Sequence, residues 1–233
     1  MENIASIIET VVGFEAEYHV LVVDDGSPDG TAEIVEGLMP KHFGRIFIEK
    51  RSGKLGLGTA YIHGFLWALK RNYDFIFEMD ADFSHNPEDL IKLRENCANG
   101  ADLAIGSRYK SGINVVNWPM SRVLLSFYAS KYVQFITGMP INDATAGFKC
   151  YRREVLQSID FNKIKFVGYA FQIEMKFVTW KKGFNIMEVP IIFTDRTRGQ
   201  SKMSPKIFKE AVLGVILMKL KSIFKPYRLV KSN

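Results

Sequence analysis

The chain has 233 residues, of which 47% are hydrophobic and 24% charged, and it carries a formal net charge of +6. This length suits one large α/β domain with a substantial core, and the composition excludes disordered and collagen-like classes. The two cysteines, Cys97 and Cys150, are far apart in the sequence and match no metal-ligand spacing, so we expect reduced thiols in a cytosolic protein.

Helical and strand patterns alternate along the chain, which predicts a mostly parallel sheet covered by helices on both faces. The predicted helices are 4–12, 31–38, 58–71, 87–96, 120–137, 153–158, 171–182 and 205–224. The predicted strands are 19–24, 45–49, 75–80, 103–106, 146–151 and 186–194. We expect a main domain over 1–203 and a basic amphipathic helix and tail over 204–233.

Positive charge is concentrated near the C-terminus, where ten Lys/Arg follow from Arg196 onward against the single acid Glu210. Such a segment is either a solvated end or a contact for an anionic partner such as phosphate, nucleic acid or a lipid surface. No signal peptide is evident, and the late apolar run 211–218 is too short to span a bilayer. We therefore expect a cytosolic chain that lies at most on a membrane.

Two predicted strands end in pairs of acids. Asp24 and Asp25 follow one apolar run, and Asp80 and Asp82 follow another. Neighbouring carboxylates repel unless a cation shares them, and Mg²⁺ or Mn²⁺ is commonly held by one or two carboxylates together with substrate phosphates. The pattern predicts a nucleotide and metal site at the carboxyl edge of an α/β sheet.

A glycine-rich segment, 53–58, leads into the third helix. It lacks the Walker lysine-serine ending, so a P-loop NTPase is not expected. By itself such a stretch is often a plain loop, although its amides and the helix N-terminus could meet a diphosphate.

Five motifs occur in a fixed order, and together they resemble the dolichol-phosphate (polyprenyl-phosphate) mannose synthases, which are inverting glycosyltransferases of the family-2 type with a GT-A fold. The motifs lie at 24–31, 54–60, 79–82, 106–109 and 195–203, so the resemblance covers nearly the whole chain. It implies transfer of mannose from GDP-mannose to a polyprenyl (dolichyl) phosphate, aided by Mg²⁺ or Mn²⁺.

The resemblance also implies roles for individual residues. For the nucleotide these are Asp24, Asp25, Lys54, Gly58 and Asp80; for the metal, Asp80, Asp82 and Ser84; for the acceptor phosphate, Arg108, Arg122 and Ser126; for a loop at the donor diphosphate, Arg196 and Lys202. Asp82 and Arg108 are the residues on which catalysis should depend most. Many relatives have glutamine at the position of Ser84, so its role carries over only loosely.

The chemistry of a phosphate acceptor agrees with these roles. A phosphate is already ionised near neutral pH, so it can attack the anomeric carbon without a strong general base. The site must instead hold two anions together, which arginines and a metal do. Asp143, whose region supplies the base in relatives with hydroxyl acceptors, is therefore expected to have a structural or orienting role.

One departure from the family concerns the N-terminus. Relatives begin with an apolar strand that would lie between the strands 19–24 and 75–80, and here Met1 stands where that strand should already have ended. Its loss would leave backbone groups unpaired on both neighbours. We expect that the natural chain begins upstream; alternatively another segment fills the gap, or this copy is impaired.

Several functional alternatives stay open at this point. A close variant would transfer glucose from UDP-glucose to the same lipid, and a different class would bind the nucleotide sugar without turnover. Apolar residues on the helix 120–137 either pack on the domain or join the C-terminal helix in peripheral membrane contact at the cytosolic face. Nucleic-acid binding is not expected, because no recognised motif accompanies the basic tail.

Overall fold

Helices and strands alternate in the computed structural model, which describes residues 3–168, 170–195, 205–224 and 227, with the backbone alone for 205–211. The helices are α1 (Ile4–Val12), α2 (Thr31–Leu38), α3 (Leu57–Leu69), α4 (Asp89–Ala98), α5 (Met120–Thr137), α6 (Arg153–Ser158), α7 (Ala170–Lys181) and α8 (Pro205–Phe224). The strands are β1 (Val20–Asp24), β2 (Ile46–Lys50), β3 (Phe75–Glu78), β4 (Leu103–Ser107), β5 (Val115–Val116), β6 (Lys149–Arg152), β7 (Ile186–Pro190) and β8 (Phe193–Thr194). Short 3₁₀ turns occupy Met39–His42 and Phe161–Lys163.

The predicted strand 186–194 is a pair of strands, which corrects the sequence-based expectation. β7 ends at Pro190, and β8 continues only at Phe193. Proline has no amide hydrogen to donate to a ladder, which favours a break there. β8 then pairs in parallel with β5, a two-residue strand that the sequence pattern does not predict.

The main sheet has the strand order β3-β6-β4-β7, and β6 runs antiparallel to both of its neighbours. Because β6 is antiparallel to β3 and to β4, these two strands run in the same direction, and β7 is parallel to β4. Their carboxyl ends therefore meet at one edge of the sheet, where α/β proteins bind ligands. β1 and β2 form a separate parallel pair.

β1 and β3 do not pair with each other. Within the described residues, the two strands belong to different sheets and no strand lies between them. A cavity of about 410 Å³ runs along both strands instead. It is lined by Val20–Val23 of β1, by Phe75–Glu78 of β3, and by apolar side chains of α1 and α3.

The largest core cluster packs between the main sheet and the helices α3, α5 and α7, and it contains Phe65, Tyr151, Phe171 and Phe177. Val215 and Met218 of α8 are buried in the same cluster. The C-terminal helix is thus packed against the body of the protein, while the predicted division at 203/204 stays a prediction.

The two cysteines meet inside the fold despite their separation in sequence. Cys97 of α4 and Cys150 of β6 are both buried and free, and the Cys97 thiol donates to the Cys150 carbonyl oxygen at 3.4 Å. Both behave as small core residues, since neither is exposed to solvent or placed at the carboxyl edge of the sheet.

Candidate active site

The first acid pair lies at the end of β1 and is held by the chain itself. Asp24 is buried, and its carboxylate accepts hydrogen bonds from the amides of Gly26 and Ser27 at 3.1 and 3.2 Å. Asp25 accepts two hydrogen bonds from Arg51, from Nε at 2.6 Å and from Nη2 at 2.7 Å. Asp24 therefore shapes the turn after β1, while the partly buried Asp25 lies just beyond the end of the strand. The predicted nucleotide contacts of both residues stay predictions.

Arg51 is a site residue that sequence reasoning missed. It follows β2, and besides its fork on Asp25 it donates from Nη1 to the Thr59 hydroxyl at 2.9 Å. Thr59 is in the first turn of α3, where its hydroxyl also donates to the Gly56 carbonyl oxygen. Arg51 thus joins the end of β1 to the glycine-rich loop. The only hint in the sequence was its place shortly after a predicted strand, where side chains face the ligand edge of a sheet.

The glycine-rich loop is shaped by close packing. Gly56 has φ of +101°, a conformation that favours glycine, and a Cβ on Gly58 would lie 2.8 Å from the Phe171 ring. The Gly58 amide donates to the Val167 carbonyl oxygen at 2.8 Å, so it is already used within the protein. Lys54 is exposed at the start of this loop. Packing explains Gly58 without a nucleotide, and the predicted role of Lys54 stays a prediction.

The second acid pair follows β3 at the same edge as the end of β4. Asp80 is exposed, and its Oδ1 accepts a hydrogen bond from the Tyr61 hydroxyl at 3.1 Å. Asp82 accepts from the Ser84 amide at 3.0 Å. Phe83, which lies between Asp82 and Ser84 in the chain, has φ of +59°. A bulky residue in the left-handed region costs about 1–2 kcal/mol, and such strain concentrates at functional sites.

The residues around Asp82 fit a hard divalent cation. Carboxylate and hydroxyl oxygens are the donors that Mg²⁺ and Mn²⁺ prefer. The Ser84 hydroxyl is buried and has no hydrogen-bond partner among the described residues. No group of three or more His, Cys, Asp or Glu within this part of the chain is spaced to hold a metal. Asp80, Asp82 and Ser84 thus offer oxygen donors only, the donor type that these cations take alongside substrate phosphates and water.

His85 lies between the acids and the basic part of the site, and its neighbours in the chain gave no sign of a role. Its buried ring stacks on Phe148 with centroids 4.8 Å apart and meets the edge of Phe193 at 5.2 Å. Burial lowers its pKa, while the Asp80 charge acts in the opposite direction and Arg108 adds to the lowering. Charges at both ends of the site therefore act on the pKa of this imidazole.

Arg108 follows β4 directly and is held by Asp143. Its Nε and Nη2 donate to the two carboxylate oxygens, each at 2.7 Å, and its own amide donates to Oδ2 at 3.0 Å. Burial alone would lower the pKa of Arg108, but the Asp143 carboxylate outweighs it and raises that pKa. Burial tends to raise the pKa of Asp143, but Arg108 outweighs burial and lowers that pKa below its usual value. The carboxyl therefore stays ionised.

Arg122 comes to the same place from the first turn of α5. Its Nη1 donates to both oxygens of Asp195 at 2.9 Å, and its guanidinium lies 4.1 Å from the centre of the Trp118 ring. The guanidinium of Arg108 lies 5.4 Å from the same ring. The two arginines, predicted from distant motifs, are thus brought together on one indole.

Ser126 is one turn after Arg122 on α5 and is half-buried. Ser126 lies near Tyr109, the residue after Arg108. Burial raises the pKa of Tyr109, and Arg108 and the Ser126 hydroxyl oppose this rise in part. The structure therefore places Arg108, Arg122 and Ser126 around one spot. The remaining predicted pair, Arg196 and Lys202, lies outside the described residues.

Comparison with known proteins decides the family. The family model "Glycosyl transferase family 2" matches residues 2–160. The chain belongs to glycosyl transferase family 2. As a member of this family it is a glycosyltransferase, and this class of enzyme agrees with the sequence-based expectation.

Two relatives are similar over most of their length. Polyprenol monophosphomannose synthase from Mycolicibacterium smegmatis is 46% identical over 92% of this chain and 81% of its own. Undecaprenyl-phosphate mannosyltransferase from Micrococcus luteus is 46% identical over 85% of this chain and 81% of its own. The resemblance to polyprenyl-phosphate mannose synthases is confirmed by these matches.

Solved structures confirm the fold. Glucosyl-3-phosphoglycerate synthase from Mycobacterium tuberculosis, crystallised with Mg²⁺ and uridine diphosphate, superposes on 99% of this glycosyltransferase and 76% of its own chain with a TM-score of 0.65. Its complex with Mn²⁺, uridine-diphosphate-glucose and phosphoglyceric acid gives a TM-score of 0.64 over 99% and 76% of the two chains. Both are 16% identical to this sequence, so they show the GT-A fold alone.

Proposed function

We propose that this glycosyltransferase moves mannose from GDP-mannose to the phosphate of a polyprenyl phosphate. The observation that carries the proposal is the pair of guanidiniums, Arg108 and Arg122, that lie against the Trp118 ring. Paired guanidiniums favour a doubly charged phosphate over a neutral hydroxyl acceptor. The 46% identical relatives named for polyprenol and undecaprenyl phosphate add support for this acceptor and for mannose.

The sugar-nucleotide donor would lie along the side of the site formed by the ends of β1 and β3, away from Trp118. Asp25, positioned by Arg51, and the loop before α3 face the nucleotide in this arrangement, and Asp80 and Asp82 face the diphosphate. When bound, Mg²⁺ or Mn²⁺ would neutralise the departing diphosphate. Asp80, Asp82 and Ser84 are the residues that would hold it, as the buried Ser84 hydroxyl and the oxygen-only donor set support.

The acceptor phosphate needs orientation more than it needs a base. Asp143 is fully buried and engaged by Arg108, and its lowered pKa leaves it a poor proton acceptor. The phosphate oxygen is itself the nucleophile, and the arginines hold it against the anomeric carbon while offsetting the repulsion between two anions. Asp143 thus acts on the acceptor through Arg108, as an orienting residue.

A transfer assay tests the proposal. Purified protein is incubated with radiolabelled GDP-mannose or UDP-glucose and a short polyprenyl phosphate, with Mg²⁺, Mn²⁺ or EDTA. We expect mannose transfer that EDTA abolishes, and no transfer to the unphosphorylated polyprenol. Transfer from UDP-glucose alone would identify the glucose variant, and nucleotide-sugar binding without product would identify a binding protein; either result would contradict the proposal.

Peripheral membrane contact is a second part of the proposal. Exposed apolar side chains cover the outer surfaces of α5 and α8, which pack against each other. They are Met120, Leu124, Leu125, Tyr128 and Phe135 on α5 and Leu213, Leu217, Leu220, Ile223 and Phe224 on α8. Within the described residues no helix has both the length and the apolarity to cross a bilayer. Exposed apolar surface flanked by lysines suits the interface of an anionic, cytosol-facing leaflet.

Vesicle sedimentation tests this contact. We expect the protein to pellet with vesicles containing anionic lipid, and the double substitution Leu217→Glu, Phe224→Glu to release it at least about 10-fold. Phe43→Glu is the matched control, because Phe43 is 94% exposed but lies between α2 and β2. Equal loss of binding in the control, or no loss in the double variant, would contradict the assignment.

A further inference from the structure

We infer that Glu188 and Lys176 are positioning residues for the acceptor phosphate, which they orient through Asp143 and Arg108. The inference rests on the proposed function for the identity of the ligand. Its structural part, that the charged side chains of Glu188 and the buried Lys176 fix the geometry of Arg108, stands on contacts of the described residues and is testable without substrate.

The turn that carries Asp143 has no regular secondary structure of its own. It lies between α5 and β6, over residues 142–146. Arg108 depends on this turn because its Nε, its Nη2 and its amide all donate to Asp143, and Nη2 also donates to the Thr145 hydroxyl at 2.8 Å. A displacement of the turn would therefore move the guanidinium, and about 1 Å of misplacement can cost about 100-fold in rate.

Glu188 fixes the turn to the end of β4. From its place on β7 its carboxylate accepts four hydrogen bonds. Three come from the turn, namely from the Asn142 amide at 2.9 Å, the Asn142 side-chain nitrogen at 2.8 Å and the Asp143 amide at 2.9 Å. The fourth comes from the Ser107 hydroxyl at 2.8 Å. Ser107 precedes Arg108, so one carboxylate sets the distance between Arg108 and the residue that orients it.

Lys176 holds the same turn from the helix side. It lies on α7 and is fully buried, and its ammonium donates to the carbonyl oxygens of Ala144 at 3.0 Å and Ala146 at 2.6 Å. The charged groups that act on it are Asp143 in the turn, Glu188 on β7 and Arg108 after β4, and it acts in turn on Lys149 of β6. Backbone donors and acceptors of the turn are thus satisfied by one anion and one cation.

The hydrogen bonds of Glu188 and Lys176 go to the 142–146 turn and to Ser107, and they reach Arg108 only through these groups, so the expected effect is selective. Packing alone would make a variant less stable without changing how the enzyme discriminates between its substrates. If the two residues position Arg108, a variant should instead raise the KM for the polyprenyl phosphate. The KM for the sugar nucleotide should stay nearly unchanged, because the donor residues lie on other elements.

The experiment compares Glu188→Gln and Lys176→Met with the control Asp102→Asn. Both site variants keep nearly the original side-chain length. Asp102 also accepts a hydrogen bond from a backbone amide, that of Asn185 at 2.8 Å, but it lies before β4 at the opposite end of the strand from Arg108. We expect acceptor KM to rise about 10-fold in Glu188→Gln and about 3-fold in Lys176→Met, with donor KM within about 2-fold of the original. The control should leave both constants within that margin.

A second measurement does not require activity. In ¹⁵N spectra the Arg108 Nε–H, buried and bonded to Asp143, should exchange slowly with solvent, and Arg108→Lys assigns its signal. Glu188→Gln should shift this signal and speed its exchange, and Asp102→Asn should not. An unchanged signal, or equal rises in donor and acceptor KM, would overturn the inference. Absence of mannose transfer by the unmodified protein with the expected spectral change would overturn the proposed function alone.

Discussion

The two ends of the cleft are built in opposite ways. At the donor end, Asp80 is exposed, and its hydrogen bond comes from the neutral hydroxyl of Tyr61. At the acceptor end, Arg108 is buried and locked to the Asp143 carboxylate, which is also fully buried. The acceptor end therefore carries its own counter-charge and is organised before any ligand binds. At the donor end Asp25 has a counter-charge in Arg51, but the carboxylates of Asp80 and Asp82 lie two residues apart in sequence, and a cation and a diphosphate would complete them.

The largest expected effect lies at the donor end. Asp82→Asn keeps the side-chain volume but removes the charge proposed to face the cation, so transfer should fall by about 1,000-fold or more. The transfer assay measures it, and thermal unfolding should show little change. Asp160→Asn is the control, since Asp160 is an exposed acid paired with Lys163 away from the cleft. Activity of Asp82→Asn within 10-fold of the original would disprove the proposed role.

A slightly smaller effect is expected from Arg108→Lys. Lysine keeps the positive charge but cannot form the two-pronged contact with Asp143, so the acceptor phosphate loses an oriented partner. We expect kcat/KM for the acceptor to fall about 100-fold and the free energy of unfolding to drop by about 1–3 kcal/mol. Urea unfolding measures the second quantity. A fall in transfer without any loss of stability would show that the Asp143 contact is not what fixes Arg108.

Arg122→Gln should have a more limited effect, because Arg122 is half-exposed and pairs with Asp195 near the surface. The expected result is a rise of about 10-fold in the KM for polyprenyl phosphate, with kcat and the donor KM little changed. Arg152→Gln is a matched control, since Arg152 is also partly exposed and its contact with Glu154 is 3.6 Å long. Equal changes in both variants would argue against an acceptor site at Trp118.

The smallest effect on transfer, but a distinct one on stability, concerns Lys176. Burial lowers its pKa from 10.5 to about 7, so the unfolded chain binds the proton more tightly than the folded one. The free-energy cost of burying the charged Lys176 is fully present below pH 7 and disappears as pH rises toward 10.5. This group should therefore raise the free energy of unfolding between pH 7 and 9, by at most about 1.4 kcal/mol per pH unit. Urea unfolding of Lys176→Met should show a flatter pH dependence; an unchanged slope would contradict the assignment.

Periodicity and strand-end chemistry were sufficient for much of the fold. The helices α1, α2, α5, α6 and α8 have the predicted bounds, because their patterns and end signals are local. Local patterns carry no information about strand direction, so the antiparallel β6 was not predicted. Pairing of β5 with β8 was missed for a related reason, since two residues are too few to form a recognisable pattern.

The site shows the same division. Asp25, Asp80 and Asp82 are recognisable because acids follow the ends of apolar runs, and Arg108 was predicted from the family resemblance. Arg51, His85, Glu188 and Lys176 are single polar residues in ordinary surroundings of the sequence. Their significance comes from partners elsewhere in the chain, 8 residues away for Arg51 and Thr59 and 81 residues away for Glu188 and Ser107.

The sequence by itself determined the class of protein: alternating elements, acids at strand ends and five ordered motifs specify a family 2 glycosyltransferase with a GT-A fold. Only the tertiary structure decided how charge is distributed within the cleft. It paired Arg108 with Asp143, placed two guanidiniums on Trp118, and bonded Glu188 and the buried Lys176 to the turn that carries Asp143. Electrostatic energy depends on distance and burial, and neither quantity can be read from a linear order of residues.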